Sequence, residues 1–339
     1  MPSNSMLFSV VIVTWNRKKD LAGAIDSVTR QKGVEKEIIV IDNNSSDGTD
    51  HLIAEYQGKY PYIQYFRMNE NTGVIAPRNK GVITAKGGIV FILDDDAELK
   101  DEEAFLKVAS KFEETGADVI TAKIINFYTR EDEGFMFAHN RISYHDKSFF
   151  AFGFNGSSTF FRKYVFDKIG YFDETFFRQG EELDFSYRMS KAGLLTFYYP
   201  DVVIYHKANP HRQTSDLINY FSFRNTLIGI WKNLPFLEAM AMSMMNVILY
   251  IGIAVRNLSF FFLLRSLFDF LLAIPYTMRH RNPMKRREAQ RMFYLMTHPV
   301  SCYEDADGKA TLFDYISYHL KSKKDRNNRS VGRGRGVDL

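Results

Sequence analysis

Three adjacent carboxylates, Asp94-Asp95-Asp96, follow the apolar run 88–93 directly. Like charges packed this closely repel one another, and a bound divalent cation would relieve the repulsion. Hard oxygen ligands select Mg²⁺ or Mn²⁺, ions that bridge protein carboxylates to substrate phosphates. The bland alternative is a solvated acidic turn that caps the next helix. A second cluster, IDNNSSDGT (41–49), ends another apolar run. Asn43, Asn44 and Gly48 suit a tight turn into a helix. Asp42 either accepts hydrogen bonds from a base or a ribose, or serves the turn. Asp47 is expected to cap the helix that starts near Thr49. The third cluster is NENTGVIAPRNKG (69–81). Gly73 permits close backbone approach there, and Arg78 and Asn79 fall on the helix that follows. An ordinary loop with a surface arginine is the alternative.

These clusters need a frame to bring them together. From residue 8 to about 125, β-branched runs at 8–14, 37–42, 62–68, 88–94 and 117–124 alternate with helix-length segments. Phe105, Val108 and Phe112 recur at helical spacing in one of those segments. Strand–helix alternation predicts parallel pairing with right-handed crossovers. Nearly continuous apolar strands predict a sheet covered on both faces. Three of the runs end in polar clusters, at 14–17, 42–49 and 94–98. Ligands of open parallel sheets bind at the carboxyl ends of strands, so the clusters point to one composite site. Beyond 126 the pattern loosens. A flexible loop is expected at 128–147, a strand near 153–162, a helix over 181–192, and two strands at 194–200 and 202–206.

Composition excludes several classes. Hydrophobic residues make up 45% and charged residues 25% of the 339, enough for a core and too apolar for a disordered chain. The single cysteine rules out an internal disulfide and points to a reducing compartment. A net charge of +4 is too small to argue for a nucleic-acid partner. The first apolar run lacks a basic segment before it, so no secretory leader is expected and the N-terminus is placed in the cytoplasm.

After residue 215 the character changes. Residues 216–233 read as a helix. Residues 234–255 carry one charge, Glu238, over a span-length stretch. Residues 258–278 are rich in Phe and Leu but include Arg265, Asp269 and Pro275, which suits a helix lying in a membrane interface. Arg279, Arg281, Lys285, Arg286 and Arg287 follow and favour anionic head groups. Peripheral attachment to an anionic membrane surface, rather than a span, is the expectation. The alternative is a soluble helical domain packed on the first. The Gly/Arg-rich end is expected to be disordered.

The motifs VVIVTWNR, IIVIDNNSSDGT, NTGVIAPRNKG, FILDDDAEL and GEELDFSYRMSKAG occur in that order. Together they resemble the family 2 glycosyltransferases of the GT-A fold, over residues 8–230, including rhamnosyl- and galactofuranosyltransferase-like members. The resemblance implies an α/β fold, a Rossmann-like and mostly parallel sheet flanked by helices, followed by a C-terminal helical membrane-proximal region. It divides the chain into a catalytic domain at 1–230, a helical membrane-associating region at 231–322 and a basic tail at 323–339. Within the first, residues 8–125 would be the nucleotide-sugar half and 126–230 the acceptor half. The donor-binding set would be Thr14, Asn16, Arg17, Asp42, Asn44, Asn71, Gly73, Arg78, Asn79, Asp94, Asp95 and Arg224. Asp96 and His206 would hold Mn²⁺ or Mg²⁺. Of the acids at 181–182, Glu182 matches the position of the general base, where relatives carry Asp, and Glu181 is its rival.

The implied function is inverting sugar transfer from a UDP- or dTDP-linked donor to a lipid-linked or cell-envelope glycan, at the cytoplasmic face of the cell membrane. No nucleic-acid partner is implied, and oligomerisation is left open. A nucleotidyltransferase is the first alternative, although TWNRKKD lacks the glycines of its phosphate loop. A non-catalytic sugar-nucleotide scaffold is the second.

Overall fold

The structure is a computed structural model that describes residues 6–133, 146–207, 216–298, 300–301 and 304–318. The basic tail, and most of the stretch expected as a flexible loop, lie outside the described residues. The chain begins with β1 (Phe8–Thr14), α1 (Lys18–Thr29), β2 (Lys36–Asp42), α2 (Thr49–Lys59), β3 (Ile63–Arg67), α3 (Ile75–Thr84) and β4 (Ile89–Asp94). It continues with β5 (Ala97–Leu99), α4 (Ala104–Thr115), β6 (Val119–Asn126), β7 (Phe149–Ala151), β8 (Ser158–Arg162), α5 (Tyr164–Ile169), α6 (Glu181–Lys191) and β9 (Thr196–His206). Helices α7 (Asp216–Asn233), α8 (Phe236–Asn257), α9 (Phe261–Leu272), α10 (Ile274–Arg279) and α11 (Arg286–Thr297) follow.

All strands join one sheet in the order β3-β2-β1-β4-β8-β6-β9-β5, with β7 paired to β9. The parallel pairing read from the strand–helix alternation holds across β3-β2-β1-β4. Beyond β4 the alternation ends and the pairing becomes mixed. β8 runs antiparallel between β4 and β6, β6 and β9 are parallel, and β5 and β7 are antiparallel to β9. The two strands expected at 194–200 and 202–206 are one strand, β9. Pro200 reads as a break in sequence, but β9 absorbs the irregularity as a register shift against β6 at Ala122/Lys123.

The pleat divides the core. Val10, Ile12, Val40, Phe91 and Leu93 face Leu21 and Ile25 of α1 and Phe105 and Val108 of α4. Val11, Ile39, Val90 and Ile92 face Ile75 and Val82 of α3 and Phe185 and Met189 of α6. Both faces are therefore covered, and the strand ends are left for a site. Residues 258–278 form two helices, α9 and α10, rather than one. Pro275, near the start of α10, removes a backbone donor, so the helix is interrupted at Ala273. Past these, Ala289, Met292 and Phe293 of α11 return to the same core as the sheet.

Candidate active site

Strand register assembles the first half of the site. Thr14 pairs with Asp42, and Val13 pairs with Asp94, so three neighbouring parallel strands end side by side. After Asp94 the chain turns through Asp95 and Asp96 into β5. There Ala97 lies opposite His206, the last residue of β9. One ligand atom each from Asp94, Asp96 and His206 falls within 4.8 Å of the others. His206 Nε2 is 3.4 Å from Asp96 Oδ1 and, though buried, has no hydrogen-bond partner. Its Nδ1 pairs with Glu133 Oε2 at 2.9 Å. An imidazole fixed from behind, its other nitrogen facing two carboxylates, fits a divalent cation of the Mn²⁺ or Mg²⁺ kind.

The charges around this point are strongly coupled. The Arg17 guanidinium sits on Asp96 Oδ2 and lies 3.7 Å from Asp95 Oδ1. Thr14 Oγ1 donates to Asp95 Oδ2 at 2.8 Å. Burial, and then repulsion from Asp96, push Asp95 up to about 7. Burial also opposes ionisation of Asp96, but His206 and Arg17 hold it well below the usual carboxylate range. Burial disfavours the charged form of His206, yet Asp96 and Glu133 raise it to about 10.

The loops after β1, β2 and β3 form the adjoining wall. Asp42 is fully buried, and both its oxygens are engaged within the protein. Oδ1 accepts from the Ser45 N–H at 2.8 Å, and Oδ2 accepts from the Tyr65 hydroxyl at 2.6 Å. Asn16, at φ 52°, accepts from the Ser46 N–H through Oδ1 and donates its own N–H to Ser45 Oγ. Asn44 Oδ1 accepts from Arg67 Nη2 at 3.1 Å. Asp47 accepts from the Thr49 N–H at the start of α2 and from the Lys18 N–H at the start of α1. Asn71 Oδ1 accepts from the Gly73 N–H and from Asn43 Nδ2. Gly73 has φ 82°, and a Cβ there would sit 2.4 Å from the Phe177 carbonyl oxygen. The close approach it allows is to the 176–180 loop.

The second half of the site is acidic and buried. Arg78 of α3, only 4% exposed, donates to Glu181 Oε1 at 2.9 Å and lies 3.4 Å from Asp94 Oδ1. One guanidinium thus bridges the cation site and the acid pair. Glu182 lies beside Glu181 on the first turn of α6. A helix N-terminus favours an ionised carboxylate, but burial and the Glu181 charge outweigh that and push Glu182 up to about 8. Asn79 instead faces inward, with its amide bonded to the Phe172 carbonyl and Glu174.

The loop that delivers the acid pair is strained. Phe177, Gln179 and Gly180 have φ 54°, 62° and 84°. Asn225 of α7 holds it, with Nδ2 within 3.0 Å of the Phe176, Arg178 and Gln179 carbonyl oxygens. Arg224 Nη1 donates to Asn225 Oδ1 at 2.7 Å. Arg224 therefore reaches the site through its neighbour.

Residues 9–174 match the family model described as Glycosyl transferase family 2. Over those residues, about half of its length, the chain carries a family 2 glycosyltransferase domain. It is 27% identical over 260 residues to the uncharacterized glycosyltransferase YfnE of Bacillus subtilis, covering 60% of this chain and 66% of that protein. It is 40% identical over 92 residues to the GalNAc(5)-diNAcBac-PP-undecaprenol beta-1,3-glucosyltransferase of Campylobacter jejuni, covering 27% of this chain and 30% of that one. Among solved structures, S. aureus TarS 1-349 in complex with UDP-GlcNAc shares the fold at TM-score 0.56 and 16% identity, over 94% of this chain and 92% of that one.

In this chain, the register and the Arg78 bridge bring together Thr14, Arg17, Asp94, Asp95, Asp96, His206, Glu181 and Glu182. Asn44, Asn71, Gly73 and Asn79 shape the surrounding loops through contacts within the protein. Sequence reasoning missed Glu133 and Tyr65, and read Asn43 only as a turn residue. Asn43 bonds to the Asn71 side chain and the Gly73 carbonyl, joining two of the loops. None of the three has a local signature beyond its residue type, because each acts on a partner at least 23 positions away.

Proposed function

We propose that the chain transfers a sugar from a nucleoside-diphosphate donor, UDP- or dTDP-linked, to a hydroxyl of a lipid-linked or polymeric cell-envelope glycan, with inversion. The observation that carries this is Arg78, which touches both Asp94 and Glu181. It makes the phosphate-binding end and a proton acceptor neighbours. The activity for which the Campylobacter relative is named, on a GalNAc(5)-diNAcBac-PP-undecaprenol, supports the class of acceptor.

The residues divide the work. The loops around Thr14, Asn16 and Asp42 receive the nucleoside. Asp94, Asp96 and His206 would hold Mn²⁺ or Mg²⁺, which when bound neutralises charge on the departing diphosphate. Glu182 takes the proton from the acceptor hydroxyl. The oxygen of that hydroxyl bonds to the anomeric carbon as the bond to the donor phosphate breaks on the opposite face, and the nucleoside diphosphate leaves. Arg78 holds Glu181 in place through their ion pair, and the Glu181 charge raises the pKa of the base beside it. An acceptor carried on lipid places the reaction at the cytoplasmic face of the membrane, with the protein held there peripherally.

The test is a screen of UDP-, dTDP- and GDP-sugars for nucleotide release and thermal stabilisation, with and without Mn²⁺. Asp96→Ala is expected to lose metal-dependent nucleotide binding. Glu182→Gln is expected to keep that binding and lose turnover. Full activity in excess chelator refutes the metal reading. Nucleotide binding with no transfer by the parent chain to any envelope acceptor leaves the scaffold reading in its place.

A further inference from the structure

Helix α8 has 22 residues with a mean hydropathy of 1.7, yet only 17% of its apolar window is buried. At about 1.5 Å per residue it is long enough to cross a bilayer. The packing ties it down at both ends instead. Ala239 and Met242 are buried in the main core beside Leu234. Near the other end, Ala254 is buried with Phe223 and Leu227 of α7 and Phe262 and Leu263 of α9. Tyr250 stacks on Phe223, with ring centroids 4.6 Å apart. A helix held along its length against the catalytic body cannot thread a membrane without tearing out that core.

Its outward face is bare. Leu237, Met244, Ile248 and Val255 recur at spacings of seven and four and are 74%, 66%, 65% and 55% exposed. Phe261 and Phe268 of α9 extend the same surface. Monomeric soluble proteins rarely leave an apolar face this continuous uncovered. The charge around it points to one occupant. Between residues 236 and 287, every exposed charged residue is cationic, including Arg256, Arg265, Arg279 and Arg286, whereas Glu238 and Asp269 are partly covered.

The link to the site is α7. Phe223 and Leu227 hold α8 and α9, while Asn225 between them holds the loop that carries Glu181 and Glu182. We propose that the outer face of α8 and α9 docks in the plane of an anionic bilayer, and that α7 fixes the acid-pair loop relative to that plane. This deepens the transferase reading, on which it rests only for what the surface delivers, namely an acceptor anchored in the same bilayer.

Vesicle flotation of the full chain tests the docking without any catalytic step. Phosphatidylcholine vesicles are compared with vesicles containing phosphatidylglycerol. Binding is expected to the second kind, to weaken with salt, and to be released by alkaline carbonate. Ile248→Glu, at an exposed position, is expected to lose binding at least tenfold with an unchanged melting temperature and nucleotide affinity. Arg279→Glu and Arg286→Glu are each expected to lower the preference for anionic vesicles about fivefold. Failure of the folded parent chain to bind anionic vesicles overturns the proposal. Resistance to carbonate extraction overturns it in favour of a span. A dimer that Ile248→Glu splits, with no effect on vesicles, assigns the face to a second copy and also overturns it. Vesicle binding by a chain inactive on every sugar nucleotide would uphold the docking while sinking the transferase reading.

Discussion

Replacing Glu182 with Gln separates the interests of folding from those of catalysis. The substitution keeps the shape and removes the ionisable proton. Burial and the neighbouring Glu181 carboxylate raise Glu182 from an ordinary 4.5 to about 8. The folded chain therefore holds a proton that the unfolded chain releases. Below about pH 4.5 both states are protonated and the group is neutral to stability. As pH rises from there through about 8, the stability that rests on the protonated form is lost. Each pH unit between the two values is worth about 1.4 kcal/mol, so the ceiling is near 5 kcal/mol. The side chain is partly exposed, and solvent screening and local relaxation reduce this to ~2 kcal/mol. Glu182→Gln is thus expected to melt about 5 °C above the parent at pH 8.5 and together with it near pH 4. Differential scanning fluorimetry across that range reads the effect directly. Turnover of the same variant is expected to fall roughly 10²–10⁴-fold, the usual worth of a general base. In the parent chain, kcat/KM is expected to rise with pH toward about 8 as the base loses its proton. A Gln variant that melts at or below the parent at pH 8.5, or by the same margin at pH 4 and 8.5, would refute the assignment of a conflicted carboxylate.

Arg78→Ala leaves Glu181 buried without its counter-charge, and a loss of about 3–5 kcal/mol at neutral pH is expected in chemical denaturation. Glu133→Gln removes the negative charge behind His206, and Mn²⁺ affinity measured by calorimetry is expected to fall roughly 10–100-fold with the melting temperature of the metal-free protein little changed. Gly73→Ala combines a left-handed backbone with a contact at the Phe177 carbonyl; a stability loss of about 1–3 kcal/mol and weaker nucleotide binding are expected, and wild-type behaviour would show that the 176–180 loop yields freely.

The sequence made β1, β2 and β4 legible because each is buried on both faces and reads as a nearly continuous apolar run, whereas β3, at the sheet edge, is only half-buried. Asp94–Asp96 were legible for the same reason, as charge that stops such a run. β9 was not, because Pro200 looks like a boundary until its neighbours in β6 are seen to accommodate it. The ionisation of Glu182 was hidden as well. Helix position is visible in sequence, whereas the depth of burial and the closeness of Glu181 are products of tertiary packing. Glu133 and Tyr65 illustrate the same limit, since a hydrogen bond across 73 or 23 positions leaves no periodicity to read.

The route of β9 has a consequence for how such a chain can vary. His206 stands opposite Ala97 on one side and Asn126 on the other, so its position is counted out along two neighbouring strands. Adding or deleting a single residue between Val203 and His206 would turn the imidazole to the opposite face of the sheet. The exposed turn at 128–131 is counted as well, because the Asn126 N–H donates to the Glu131 carbonyl and the Glu133 N–H to the Ile124 carbonyl, which sets Glu133 behind His206. Length changes are therefore expected in neither segment, and the four residues ending β9 behave as a ruler whose divisions cannot be respaced without losing the ligand it delivers.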